Sequence, residues 1–255
     1  MSIIALLVAI APVILIGLFL YKKDKEKEST GLLFKLFIGG VSSSIPTLLI
    51  GSVLGSFFPE MEYMNVFEMF IYAFIVVALV EESCKWFFLY KISYNHDEFD
   101  TVYDMILYAS FVALGFACLE NILYVSSYGI YTGIIRAVSA VPGHVCDGIL
   151  MGSYLALAKH NRVRGNLEQE MKYKRMSIFI PMVAHGIYDF CLFLGSPIFM
   201  LIFVLFVIYL FVTSFQKVKE VSSNDVNIKF KNKYCPGCGN PIQSNFCQHC
   251  GRKNN

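Results

Sequence analysis

The chain is 255 residues long, with 56% apolar, 15% aromatic and only 16% charged residues, a balance far outside that of soluble domains. This excludes an ordinary water-soluble enzyme and points to an all-α polytopic membrane protein. The net charge of +2 says nothing by itself about acidic partners or nucleic acid, and no nucleic-acid partner is expected; what carries information is where the charges lie.

About 20 apolar residues, at 1.5 Å each, cross the ~30 Å hydrocarbon core. On that measure seven transmembrane helices are predicted, at 2–21, 32–57, 66–90, 102–125, 131–158, 176–194 and 197–216. No basic residue precedes the first run, and KKDKEKE follows it with no small-residue cleavage site between, so it reads as a retained helix rather than a leader. The turn at Gly195, Ser196 and Pro197 is short enough for a helical hairpin. Loops 22–31, 91–101 and 159–175 and the tail after 216 hold 4, 1, 6 and 7 of the 21 Lys and Arg residues. The connections 58–65, 126–130 and 195–196 hold none. The positive-inside rule then predicts an integral plasma-membrane protein with its N-terminus outside and its C-terminus in the cytosol.

Beyond the transmembrane domain (1–216) and a polar linker (217–233), residues 234–253 contain two CxxC pairs, Cys235/Cys238 and Cys247/Cys250. Four thiolates at this spacing close a tetrahedral structural zinc site, a short zinc ribbon. A reducing cytosol disfavours the alternative of disulfides. Such a ribbon has no open coordination position for catalysis, but it is suited to holding a cytosolic protein partner. Cys84, Cys118, Cys146 and Cys191 are scattered through the spans and read as small packing residues.

Ionisable groups inside spans are costly unless they face protein or a watered cavity. Span three has Glu81, Glu82 and Lys85, span four Glu120, span five Arg136, His144 and Asp147, and span six His185 and Asp189. Residues three or four apart share a helix face. Glu81 and Glu82 therefore both reach Lys85, whose charge would keep at least one carboxylate ionised. Phe116, Glu120 and Tyr124 form a stripe, as do Ala140, His144, Gly148 and Gly152, whose small members admit a neighbouring helix. A break at Pro142 and Gly143 is expected beside His144. Asp189, one turn from His185, would hold its imidazole in one tautomer. Counted from the cytosolic span ends, Glu81 and His185 lie about 14 Å deep, Asp147 about 17 Å, His144 about 21 Å and Glu120 about 27 Å. Glu120 is thereby expected to support the site from a distance.

These residues resemble the PrsW intramembrane proteases, a family related to the membrane-embedded CAAX prenyl endopeptidases and Abi proteins. EESCK at 81–85 is similar to the family's EExxK, FACLENILY at 116–124 to FxxxExxxY, HGIYD at 185–189 to HxxxD, and PGHVCDGILMG at 142–152 to its further histidine motif. The resemblance implies peptide-bond hydrolysis in or beside the membrane, with single-span proteins such as anti-sigma factors as substrates. Glu81, Glu82, His144, His185, Asp189 and Glu120 would be catalytic, and Lys85, Phe116, Tyr124, Asp147 and Arg136 supporting. Either glutamate can serve as base, and His144, His185 and Glu82 can ligate a catalytic zinc or other divalent ion or, without metal, stabilise an oxyanion. No HExxH or GxGD accompanies them. Two other classes compete: an ion-coupled transporter, for which the halves show no internal symmetry, and a non-enzymatic scaffold using the ribbon, which would not need to keep every motif residue.

Overall fold

The computed structural model describes residues 2–224, 228, 235, 237–240 and 247–252. It is all-helical, with no strand among the described residues. In chain order the described helices are α1 (Ile3–Lys23), α2 (Thr30–Gly55), a short 3-10 turn (Met61–Tyr63), α3 (Val66–Ile71), a π-helical segment (Tyr72–Leu79), α4 (Val80–Ser93), α5 (Val102–Tyr128), α6 (Ile130–Val138), α7 (Ala140–Val163), α8 (Leu167–Leu194) and α9 (Pro197–Ser223).

Local sequence sets these boundaries. The Ser29 and Asn166 side chains accept the first free amides of α2 and α8, and Asn65/Glu68 and Thr101/Asp104 form capping boxes on α3 and α5. Gly195 stops α8 in a left-handed conformation at φ 56°, and Pro197 opens α9 two residues later. The turn there does form an antiparallel helix pair.

Among the described residues, six helical runs are long and apolar enough to cross a membrane by length and composition. The expected span at 66–90 is present as the unbroken run α3–π–α4, but its π segment and its charges at 81, 82 and 85 keep it outside that measure. The expected span at 131–158 is divided at Ser139, whose backbone (φ −120°, ψ −73°) leaves the helix. The break thus precedes Pro142, which falls in the first turn of α7, where its missing N–H has no helical partner to lose. Helix α9 continues to Ser223, past the boundary expected at 216, so the first part of the stretch read as linker is helical.

Helix α5 is the axis of the bundle, with 83% of its most apolar window buried, whereas α1 and α9 turn most of their leucines and isoleucines outward. Glycines let α5 touch its neighbours backbone to backbone. A Cβ on Gly40 of α2 would lie 1.9 Å from the Val112 carbonyl oxygen, and one on Gly152 of α7 2.4 Å from that of Met105. The Gly148/Gly152 stripe therefore does admit a neighbouring helix, and that helix is α5. This tight α2–α5–α7 layer, with α4 and α8 across it, brings together the charged residues of five helices, α4 to α8.

Candidate active site

Every ionisable residue singled out in the spans converges on one cluster. Lys85 is at its centre, fully buried, with its Nζ 2.7 Å from Glu82 Oε1, 3.3 Å from Glu81 Oε2 and 3.1 Å from His144 Nδ1. It also lies 4.1 Å above the Phe116 ring. An ammonium can only donate, so His144 Nδ1 accepts and the ring proton sits on Nε2, which donates to Glu120 Oε2 at 2.7 Å. Arg136 completes this branch with 2.7 Å to Glu120 and 3.1 Å to Asn121 Oδ1, its guanidinium stacked 3.9 Å from the Tyr124 ring.

The second branch runs through His185. Its Nδ1 is 2.8 Å from Glu82 Oε1 and 3.7 Å from Asp147 Oδ2, while its Nε2 is 3.3 Å from Asp189 Oδ2 and 3.8 Å from Glu81 Oε2. With carboxylate oxygens on both sides, this imidazole can pass a proton from one face to the other. The two histidine rings meet edge to face with centroids 5.3 Å apart. Carboxylates buried here and held by Lys85, Arg136 and two imidazoles cost folding energy that hydrophobic packing would not, which is typical of a site kept for chemistry.

Two adjoining cavities expose the cluster. One of about 460 Å³ is walled by Glu81, Glu120, His144, Asp147, His185 and Asp189. The other, about 680 Å³ between α2 and α5, shares Glu81, Glu120 and Tyr124 with the first and is also lined by Phe116. Glu81 faces both cavities, whereas Glu82 lines neither and lies behind it. The π-helical segment ends two residues before Glu81, a placement in keeping with the tendency of such segments to occur at functional sites.

The expectation that Glu120 stands apart is overturned. The sequence count stopped span five at 158 and began span six at 176, but α7 runs to Val163 and α8 starts at Leu167. From the true helix ends Glu120, His144 and His185 lie about 27, 28 and 27 Å along their helices. Asn121 is a member that sequence reasoning passed over. It is fully buried, donates to the Ala9 carbonyl at 2.9 Å and accepts from Arg136. An amide in the middle of an apolar span, next to Glu120, was the available signal.

One oxygen or nitrogen each of Glu81, Glu82, His144 and His185 lies within 4.8 Å of the others, so this group can hold a metal ion. The donor chemistry suits a divalent ion, and Glu82 Oε2 is buried without a hydrogen-bond partner. Lys85 bonds three of the four donors, so a bound ion requires its ammonium to draw back. In the tail, Cys235, Cys238, Cys247 and Cys250 form the other such group among the described residues. Their sulfurs are 3.4 Å apart for Cys238–Cys247 and 3.5 Å for Cys235–Cys250, near the ~3.8 Å edge of a tetrahedral Zn–thiolate site and far from the ~2.05 Å of a disulfide. Gly239 and Gly251, both at φ 70°, close matching turns after the two pairs.

Comparison with known proteins agrees with this geometry. A family model described as PrsW family intramembrane metalloprotease matches residues 28–214, ending before the tail cysteines. The chain is 36% identical over 217 residues to Protease PrsW of Oceanobacillus iheyensis, covering 85% of this chain and 95% of that one. It is 35% identical to Protease PrsW of Bacillus subtilis (72% and 80% covered) and 33% identical to that of Clostridioides difficile (89% and 94%). No solved structure matches the chain.

Proposed function

The chain belongs to the PrsW family of intramembrane proteases, and on that premise we propose that it hydrolyses a peptide bond of single-span membrane proteins with Glu81 as the general base. The observation that carries this assignment is that Glu81, not Glu82, faces both cavities while lying within reach of Lys85 and His185.

The chemistry follows from the contacts. Glu81 takes a proton from a water in the cavity as the water oxygen attacks the substrate carbonyl carbon. His185, held at Nδ1 by Glu82, turns its Nε2–H from Asp189 to the oxyanion, so that the charge forms against a positioned donor. The C–N bond then breaks, and Glu81 returns its proton to the leaving nitrogen. Glu82 positions rather than reacts: one of its oxygens anchors both Lys85 and His185. Glu120 and Arg136 hold His144 with its Nε2–H turned away from Lys85. A divalent ion bound by Glu81, Glu82, His144 and His185 would supply Lewis-acid polarisation of the carbonyl.

In this reading the termini lie as the basic loops indicate, N-terminus outside and C-terminus in the cytosol of a plasma-membrane protein. Glu120, His144 and His185, about 27 Å from the cytosolic ends of their helices, then lie nearer the outer surface, with Glu81 about 18 Å from the end of α4. The ribbon carries zinc and holds a cytosolic protein partner.

The test is co-expression with a panel of tagged single-span membrane proteins. Wild type yields a cleavage product from at least one; Glu81→Gln loses it, with the amount of membrane-inserted protein unchanged. Equal cleavage by Glu81→Gln and wild type would overturn the assignment of the base.

A further inference from the structure

The two halves of α2 behave differently. Before Pro46 it is pressed onto α5 through Gly40, with no room for even a methyl group. Pro46 removes the hydrogen bond to the Ser42 carbonyl and lets the helix bend. Beyond it, a Cβ on Gly51 would meet nothing within 4 Å, and one on Gly55 only Tyr72, its hydroxyl at 3.5 Å and its ring at 3.7 Å. The 680 Å³ cavity opens in the gap, and Ser44, Thr47, Gly51 and Gly55 line it. Spaced three, four and four residues apart, they share one face. Small residues so arranged let another helix approach closely in lipid, yet among the described residues no helix closes on Gly51, and only Tyr72 of the π-helical segment comes near Gly55.

A second, independent observation lies at the inner end of this stripe. Ser44 Oγ is buried, its residue 5% exposed, and has no hydrogen-bond partner. Its neighbours satisfy themselves: Ser43 Oγ donates to the Gly40 carbonyl at 2.7 Å and Thr47 Oγ1 to that of Ser43 at 2.9 Å. An unpaired buried hydroxyl is costly to leave unsatisfied, and an entering acceptor would satisfy it. The same cavity ends on Glu81 and Glu120.

We infer, resting on the protease reading above, that the α2 face from Ser44 to Gly55, with α5 opposite, is the docking groove for the transmembrane helix of the substrate, which enters sideways from the bilayer. The wall chemistry selects that occupant. An acyl chain has nothing to offer Ser44, Glu81 and Glu120, whereas a peptide backbone opening near the scissile bond presents carbonyls and amides to them. The acyl-chain alternative is better served elsewhere, by the 450 Å³ groove between α1 and α2 over Phe111 and Leu114, whose walls are almost wholly hydrocarbon. A cavity of 680 Å³ takes roughly one turn of a helix 10–12 Å across. The exposed Ile45, Leu48, Leu49 and Val53 form a lipid-facing rim that the rest of the helix can lie against.

The test uses the full chain in membranes, with the panel protein that wild type cleaves. A photo-crosslinking residue, p-benzoylphenylalanine, is placed at position 51, or at position 208 on the lipid-facing side of α9, in the Glu81→Gln background. Crosslinking of the panel protein from position 51 and not from 208 supports the groove. Crosslinks from position 51 to lipid alone, or equal capture from both positions, overturn it while the protease reading stands, since wild-type cleavage is scored separately. If no panel protein is cleaved, or Glu81→Gln cleaves as wild type does, the protease reading falls and the inference with it. Gly51→Ile, which has room to fold, gives the kinetic counterpart: lost close packing raises KM about tenfold and lowers kcat less than it raises KM. An unchanged KM counts against the groove.

Discussion

Replacing Lys85 with methionine keeps its length and removes its charge, which isolates what the ammonium does. All three of its protons are used, on Glu82, Glu81 and His144, and the ammonium itself is buried away from solvent that could offset their loss. Removing one partner of a buried ion pair costs about 3–5 kcal/mol, because the other charge stays buried and uncompensated. In a chain of this size that corresponds to a fall in Tm of roughly 6–20 °C. Trp86, the single tryptophan, is adjacent to Lys85 and bonded to Ser177 Oγ at 2.8 Å, so its fluorescence during thermal unfolding in detergent reports on this helix contact. The double variant Lys85→Met/Glu82→Gln removes the stranded charge with its partner. It should regain at least ~1 kcal/mol of the loss, the coupling expected of residues in contact, without regaining cleavage. The reasoning is refuted if Lys85→Met melts within about 2 °C of wild type, a shift worth no more than ~1 kcal/mol, or if the double variant is no more stable than the single one.

Two further outcomes follow from groups outside the spans. Glu28, between α1 and α2, accepts a hydrogen bond from Tyr108, but burial, aided by the nearby Asp104 and Glu98 carboxylates, pushes its pKa from near 4.5 up to about 8; Asp24 beside it is raised as well, chiefly by burial. The folded protein therefore holds protons that the unfolded chain has released, and stability should fall as pH climbs from about 4.5 through about 8. Glu28→Gln should flatten that slope and raise Tm at pH 8, and a slope identical to wild type speaks against it. In the tail, Cys238→Ser with Cys250→Ser should lower the zinc content of purified full-length protein by about one ion per chain, the capacity of a four-thiolate site. Unchanged zinc would show that the tail does not bind it, and any metal left in the double variant that His185→Ala then removes would belong to the buried cluster.

The members of the buried cluster were legible in the sequence because lipid makes charge expensive. A glutamate pair, two histidines and two aspartates in apolar spans call for partners, and helical spacing alone paired Lys85 with Glu81 and Glu82, and His185 with Asp189. What failed was height. Apolar composition marks where hydrocarbon ends rather than where a helix ends, so the polar extensions of α7 to Val163 and α8 from Leu167 were invisible and Glu120 was placed too far from His144. The π-helical segment was equally hidden, since YAFIVVAL is as apolar as any α-helical span and its hydrogen-bond register is set by the neighbours it packs on.

The groove shows a different kind of illegibility. Gly40 and Gly51 lie on the same helix among similar small and apolar neighbours, yet a methyl group on one would lie 1.9 Å from a carbonyl oxygen and on the other would touch nothing. Both glycines satisfy the same rule of close helix approach in lipid. At Gly40 the approaching helix is α5, part of the chain itself. At Gly51 the same device stands open beside Glu81, with an unpaired serine hydroxyl at its inner end, and the approach it is shaped for has to come from another molecule. A small-residue stripe therefore has two meanings, internal packing or external docking, and only the tertiary position of each glycine separates them.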